Sequence, residues 1–168
     1  YVNKLEESVV KMTDLYSSSD FDIFERLFMK ALRRLLQSDH TNYLKQACQF
    51  LCKLLKQLCS QHDERLVRSC LEVADHYMQI SNEECRMNSV FLVSKFLAQV
   101  DELDECICDT LKSTLAKRIR DKKVSIRSHA VLAASKFQDN QMIRDAFEFH
   151  FRCDPELSVR KALIQTMD

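Results

Sequence analysis

Asp121-Lys-Lys-Val-Ser-Ile126-Arg127-Ser-His-Ala130-Val131-Leu-Ala-Ala-Ser-Lys-Phe-Gln138-Asp139 is the stretch on which the fold turns. Its apolar–arginine step, Ile126-Arg127, stands near the start of a helix read over 123–138 from the 3.6-residue period. The same step recurs as Cys85-Arg86 and Val159-Arg160, at spacings of 41 and 33 residues. The first two copies share a downstream triplet, Ser94-Lys95-Phe96 and Ser135-Lys136-Phe137, each starting eight residues after the arginine. The last two share Asp121 and Asp154, each six residues before it.

A period of about 33–47 residues built from two helices marks a solenoid of HEAT or armadillo type. One such pair cannot bury its apolar face alone, so neighbours stack. Aspartate and arginine of successive repeats are expected to pair along the stack, which makes Arg127 structural. The reading is all-α: a HEAT-repeat helical solenoid of antiparallel helix pairs, stacked right-handedly, one domain over residues 1–168.

Composition agrees. A chain of 168 residues would ordinarily hold about a dozen glycines and roughly eight prolines; this one has no Gly and one Pro. Phosphate-cradling loops, dinucleotide fingerprints and nucleophile elbows all need glycine and are excluded. Helices are predicted over 4–16, 21–37, 41–60, 64–79, 83–99, 104–120, 123–138, 141–152 and 156–168. Short polar breaks such as Ser17–Asp20 and Ser38–His40 separate them, and their Ser, Asp and Asn are candidate caps. Within 21–37, Phe24, Phe28, Ala31 and Leu35 read as the core stripe, with Arg26, Lys30 and Arg33 opposite. The chain opens at Tyr1 and stops while a helical pattern still runs, so a piece of a longer protein is expected. No apolar run approaches the ~20 residues of a membrane span.

The eight cysteines read as free thiols. Cys48, Cys52 and Cys59 share one stripe with Leu55, where disulfides are geometrically poor. No CxxC pair is present, so they are expected to be buried, reduced and metal-free. A reducing compartment, cytosol or nucleus, follows.

The 25 basic and 25 acidic side chains cancel overall but lie in blocks. Residues 26–56 and 112–127 each carry seven basic groups and one acidic, while 69–111 carry nine acidic and two basic. DNA binding needs several cations that reach phosphates together. Lys117, Arg118, Arg120, Lys122 and Lys123 meet that density. Lys45, Lys53 and Lys56 fall within an arc of about 80° on their helix, on the side that the second helix of a HEAT pair turns to the concave surface. Solvated surface is the alternative for both groups. Catalysis has no comparable footing: His129 reads as a core-edge histidine, and His76 and His150 lack a spaced triad partner. The chain is read as non-enzymatic and without a cofactor.

The stretch through Gln138-Asp139, followed by Asp154-Pro-Glu-Leu-Ser-Val159-Arg160-Lys-Ala-Leu163, resembles consecutive HEAT repeats of the condensin G subunit (CAP-G type). Leucine-rich helices 21–37 and 41–60, and the Cys85–Leu97 helix, fall in the order of that family's N-terminal region. The resemblance implies a non-SMC regulatory subunit acting in mitotic chromosome condensation. It implies as partners the kleisin subunit, through it the SMC ATPase pair, and double-stranded DNA without sequence preference. It also implies residence in the nucleus and on chromosomes, with a cytoplasmic pool, and no membrane partner. A peptide-binding HEAT scaffold, such as a transport-receptor-like arm, is the alternative.

Overall fold

The structure is a computed structural model and describes residues 18–39, 41–60, 64–100, 103 and 105–166. Its helices are α1 (Ser18–Leu36), α2 (Thr41–Ser60), α3 (Glu64–Gln79), α4 (Glu83–Leu97), α5 (Glu105–Arg118), α6 (Val124–Ala134), α7 (Gln141–Cys153) and α8 (Leu157–Gln165). A single 3-10 turn, Ser135–Phe137, extends α6. The described residues contain no strand. Boundaries match the sequence reading to within a few residues, with α6 tightening at Ser135 and α1 starting earlier, at Ser18. The helix predicted over 4–16 lies outside the described residues.

One packing rule builds the whole. Each helix packs on the next but one, and consecutive helices join as the pairs α1–α2, α3–α4, α5–α6 and α7–α8. The odd helices thus form one layer, and the even helices a second layer laid against it. This is the stack of antiparallel pairs that the arginine spacing implied. The core is continuous through every pair, from Leu32 and Leu36 through Leu54, Leu58, Phe96 and Ile126 to Val159 and Leu163.

The interior even helices α4 and α6 are enclosed, and their sequences show why. Ser89 and Ser94 are buried, yet each hydroxyl donates back to its own helix, to the carbonyls of Cys85 and Phe91. A buried polar group costs little when it is so satisfied. Asn88 reaches out of α4 and donates to the Leu36 and Ser38 carbonyls at 3.0 and 2.8 Å. It closes the C-terminus of α1, where other proteins use glycine. Asn82 and Asn140 cap α4 and α7 through their side chains.

Two expectations are corrected. The α1 stripe that faces the core is Met29, Leu32 and Leu36, rotated by one residue from the one read in the sequence. Phe24, Phe28 and Leu35 are half-buried and Ala31 is exposed. The reason is that a solenoid helix carries two apolar faces, one for each neighbour, and periodicity alone does not rank them. Cys48 and Cys52 are buried as expected, but Cys59, at the end of α2, is only half-buried. All eight cysteines are free thiols.

Candidate nucleic-acid interface

The turns that open α4, α6 and α8 share one construction. Arg86, near the start of α4, donates through Nη1 to the carbonyls of Ile80 and Ser81 in its own turn. Its Nε donates to Asp121 of the next repeat at 3.1 Å. Arg127 does the same one step on, binding the Asp121 and Lys122 carbonyls through Nη1 and Asp154 through Nε and Nη2, both at 2.9 Å. Arg160 binds the Asp154 carbonyl. Each arginine therefore clamps its own turn and, in the first two copies, ties down the carboxylate of the following one.

The aspartates are matching hubs. Asp121 accepts from Arg86, from Arg118 at 2.7 Å and from the Lys123 amide at 3.0 Å. Asp154 accepts from Arg127 and from the Glu156 amide at 3.0 Å, and His150 Nδ1 lies 2.7 Å from it. Burial alone pushes both carboxyls up, but the hydrogen bonds and the arginine charges outweigh it and hold them below the usual carboxylate range. His150 does have a spaced partner after all: Asp154, four residues on.

These hubs sort the cations of the 112–127 block. Arg118 is half-buried and committed to Asp121. Arg127 is buried under Asp154. Lys123 is exposed and pairs across to Glu83 at 2.7 Å. Lys112 pairs with Asp109 at 3.1 Å. Lys117, in the last turn of α5, and Arg120 and Lys122, on the α5–α6 turn, remain exposed. Arg120 sits at the mouth of a groove shared with Phe149, Cys153 and Pro155.

The second group lies in the other layer. Lys45, Lys53 and Lys56 are exposed on α2. Lys95 of α4 joins them, a residue the charge blocks hid because it stands in the acidic stretch. Its Nζ lies 5.7 Å from the Phe91 ring centre, and its charge acts on both Cys52 of α2 and His129 of α6. Burial, and then the Lys95 charge, hold the His129 imidazole below its ordinary pKa, and its ring stands edge-on to Phe91 at 5.2 Å. Lys136 occupies the position in the next repeat that Lys95 holds in its own, nine residues after the repeat arginine. The recurring Ser-Lys-Phe triplet was the signal that could have placed Lys95 and Lys136 in the candidate site.

With that geometry in place, the fold can be compared with known ones. It is similar to that of a chain in a condensin subcomplex. The S. pombe condensin Cnd3-Cnd2 subcomplex contains a chain that matches with a TM-score of 0.80 over 99% of this sequence, at 23% identity. The match covers 21% of that longer chain. No protein-family model matches the sequence, and no curated protein does. The likeness establishes the helical-repeat fold. Among the described residues, no helix is long and apolar enough to cross a membrane.

Proposed function

We propose that this chain is part of a non-SMC HEAT subunit of condensin, of the G type. It binds the kleisin subunit and, through it, the SMC ATPase pair, and it contacts double-stranded DNA without sequence preference. It acts on mitotic chromosomes in the nucleus, with a cytoplasmic pool, and its role asks for no catalysis or cofactor. The observation that carries the reading is the solenoid match to a condensin chain over nearly the full sequence. The two sets of exposed cations support its DNA part, since phosphate contacts without a base-reading helix give affinity and no sequence preference.

The DNA contacts proposed are Lys117 at the end of α5 with Arg120 and Lys122 on the α5–α6 turn, and Lys45, Lys53 and Lys56 on α2 with Lys95 beside them. Arg118 and Lys123 belong to the first set by position but contribute less, because Asp121 and Glu83 already hold them. Duplex binding titrated against salt tests the reading. With about five phosphate contacts, log K falls against log salt with a slope near −4.5. Lys117→Glu with Lys122→Glu flattens that slope by about two. Lys45→Glu with Lys56→Glu does the same if the α2 layer also touches the backbone. A duplex affinity that neither double variant changes at low salt removes both patches.

A further inference from the structure

Helices α3 and α5 are neighbours in the odd layer, and a narrow crevice of about 40 Å³ opens between them. Leu71, Ile107 and Leu111 give it apolar walls, and Glu72, Asp75 and Thr110 give it oxygen atoms. Asp75 is only 7% exposed. Its Oδ2 accepts from Gln79 at 2.6 Å, while its Oδ1 is buried and has no hydrogen-bond partner. Arg68 also lines the crevice and leaves that oxygen unpaired. The other buried carboxylates among the described residues, Asp121 and Asp154, are each held by an arginine and a backbone amide. Asp75 is the exception, and a buried carboxylate oxygen without a donor calls for a reason.

We propose that this crevice takes a lysine side chain from a basic segment of a partner protein. The ammonium donates to Asp75 Oδ1, and its methylene stem lies against Leu71, Ile107 and Leu111. The Thr110 hydroxyl donates to the Cys106 carbonyl at 3.3 Å and keeps its lone pairs for a second ammonium hydrogen. Glu72, exposed on the same lining, adds a further negative charge. The crevice has room for a few water-sized groups, which favours a compact ammonium over the broad guanidinium fork of arginine. A metal ion is a poorer occupant, since the described residues hold no group of three or more His, Cys, Asp or Glu placed to bind one.

Charge selects a basic segment as the source of that lysine. Residues 69–111 carry nine acidic and two basic side chains. Both cations serve elsewhere, Arg86 on Asp121 and Lys95 on α4 in the even layer. Glu105 and Asp109 are exposed on α5, each one residue before a lining residue, Cys106 or Thr110. Lysines flanking the inserted one therefore meet an acidic face. The site uses none of the cations assigned to DNA, so it stands or falls apart from that reading.

Fluorescence anisotropy with the whole chain and a labelled peptide of alternating alanine and lysine, at low salt, tests this. The same peptide with acetylated lysines should not bind, and one of alternating alanine and arginine should bind more weakly. Asp75→Asn should weaken the lysine peptide about tenfold or more. It should keep or raise the melting temperature, because a neutral amide costs less to bury than a lone carboxylate. Glu105→Gln with Asp109→Asn removes two exposed charges and should weaken binding by no more than about fivefold. Thr110→Lys supplies an ammonium from the chain itself and should block the crevice. Asp75→Asn that binds as well as the parent means a diffuse acidic surface, and it overturns the proposal. If that variant does not fold, Thr110→Lys decides, and an unchanged affinity overturns the proposal. No binding by the parent overturns it too and leaves the crevice to water. Equal binding of the arginine peptide overturns the assignment to lysine.

Discussion

Arg127 and Asp154 face each other across a repeat boundary, joined by two hydrogen bonds of 2.9 Å with both side chains nine-tenths or more buried. Breaking a buried pair by removing one partner costs about 3–5 kcal/mol, because the other charge is stranded. Arg127→Ala should therefore lower the melting temperature by roughly 6–20 °C at this chain length. Arg160 binds a carbonyl, and no carboxylate pairs with it among the described residues. Arg160→Ala should cost no more than about 1 kcal/mol. Equal losses in the two variants, measured by calorimetry, would contradict the hub geometry.

The acid limb of stability should trace to the same hubs. Asp121 and Asp154 have depressed pKa values in the folded state. Their contribution is complete above the unfolded carboxyl value of about 4 and is lost as pH falls from there through the folded values. Denaturant midpoints measured from about pH 6 down to about pH 2.5 should fall steeply below about pH 4. Asp154→Asn should flatten that fall while lowering stability at neutral pH.

His129 titrates in the opposite chemical sense but with the same sign of effect. Its folded pKa lies below the ordinary value of 6.5, so the unfolded chain takes up a proton that the folded chain refuses. Stability should begin to drop as pH falls below about 6.5, before any carboxylate responds. His129→Gln should remove this early drop. Lys95→Gln should shrink it, since the ammonium adds to the effect of burial.

Thiol chemistry should separate by burial. Burial pushes Cys48 and Cys52 up to about 12, and raises Cys70 further. Iodoacetamide on the native chain should modify the exposed Cys106 and Cys153 first and reach those three only on unfolding. Cys52→Ser should cost about 1–3 kcal/mol, because the Leu92 carbonyl that receives the thiol at 3.9 Å lies beyond the reach of a hydroxyl on the shorter C–O bond. Mass spectrometry of labelled peptides and melting curves decide both points.

The repeat was legible because arginine has a geometric task at each turn that no other residue performs, so it recurs at the spacing of the turns. The helices were legible because polar breaks interrupt a strong 3.6-residue period. What the sequence hid was relational. Whether Phe28 or Met29 leads on α1 depends on which neighbour is present. A basic block gives no sign that Arg118 is taken, because the carboxylate that holds it, Asp121 three residues on, belongs to a buried hub. Lys95 was hidden by averaging over an acidic stretch of sequence, although its charge acts across the repeats on Cys52 and His129.

The clamps also fix where this solenoid can be cut. A helix pair is the visible module, yet its boundary runs through the Arg–Asp rungs. Truncation after Asn140 would keep α5 and α6 whole and still leave Arg127 buried without Asp154. Grafting at such a boundary inherits an orphan guanidinium on one side or an orphan carboxylate on the other. The exchangeable unit here is the overlap, from one repeat arginine to the next repeat aspartate, and recombination that respects it should preserve both the turn and its lock.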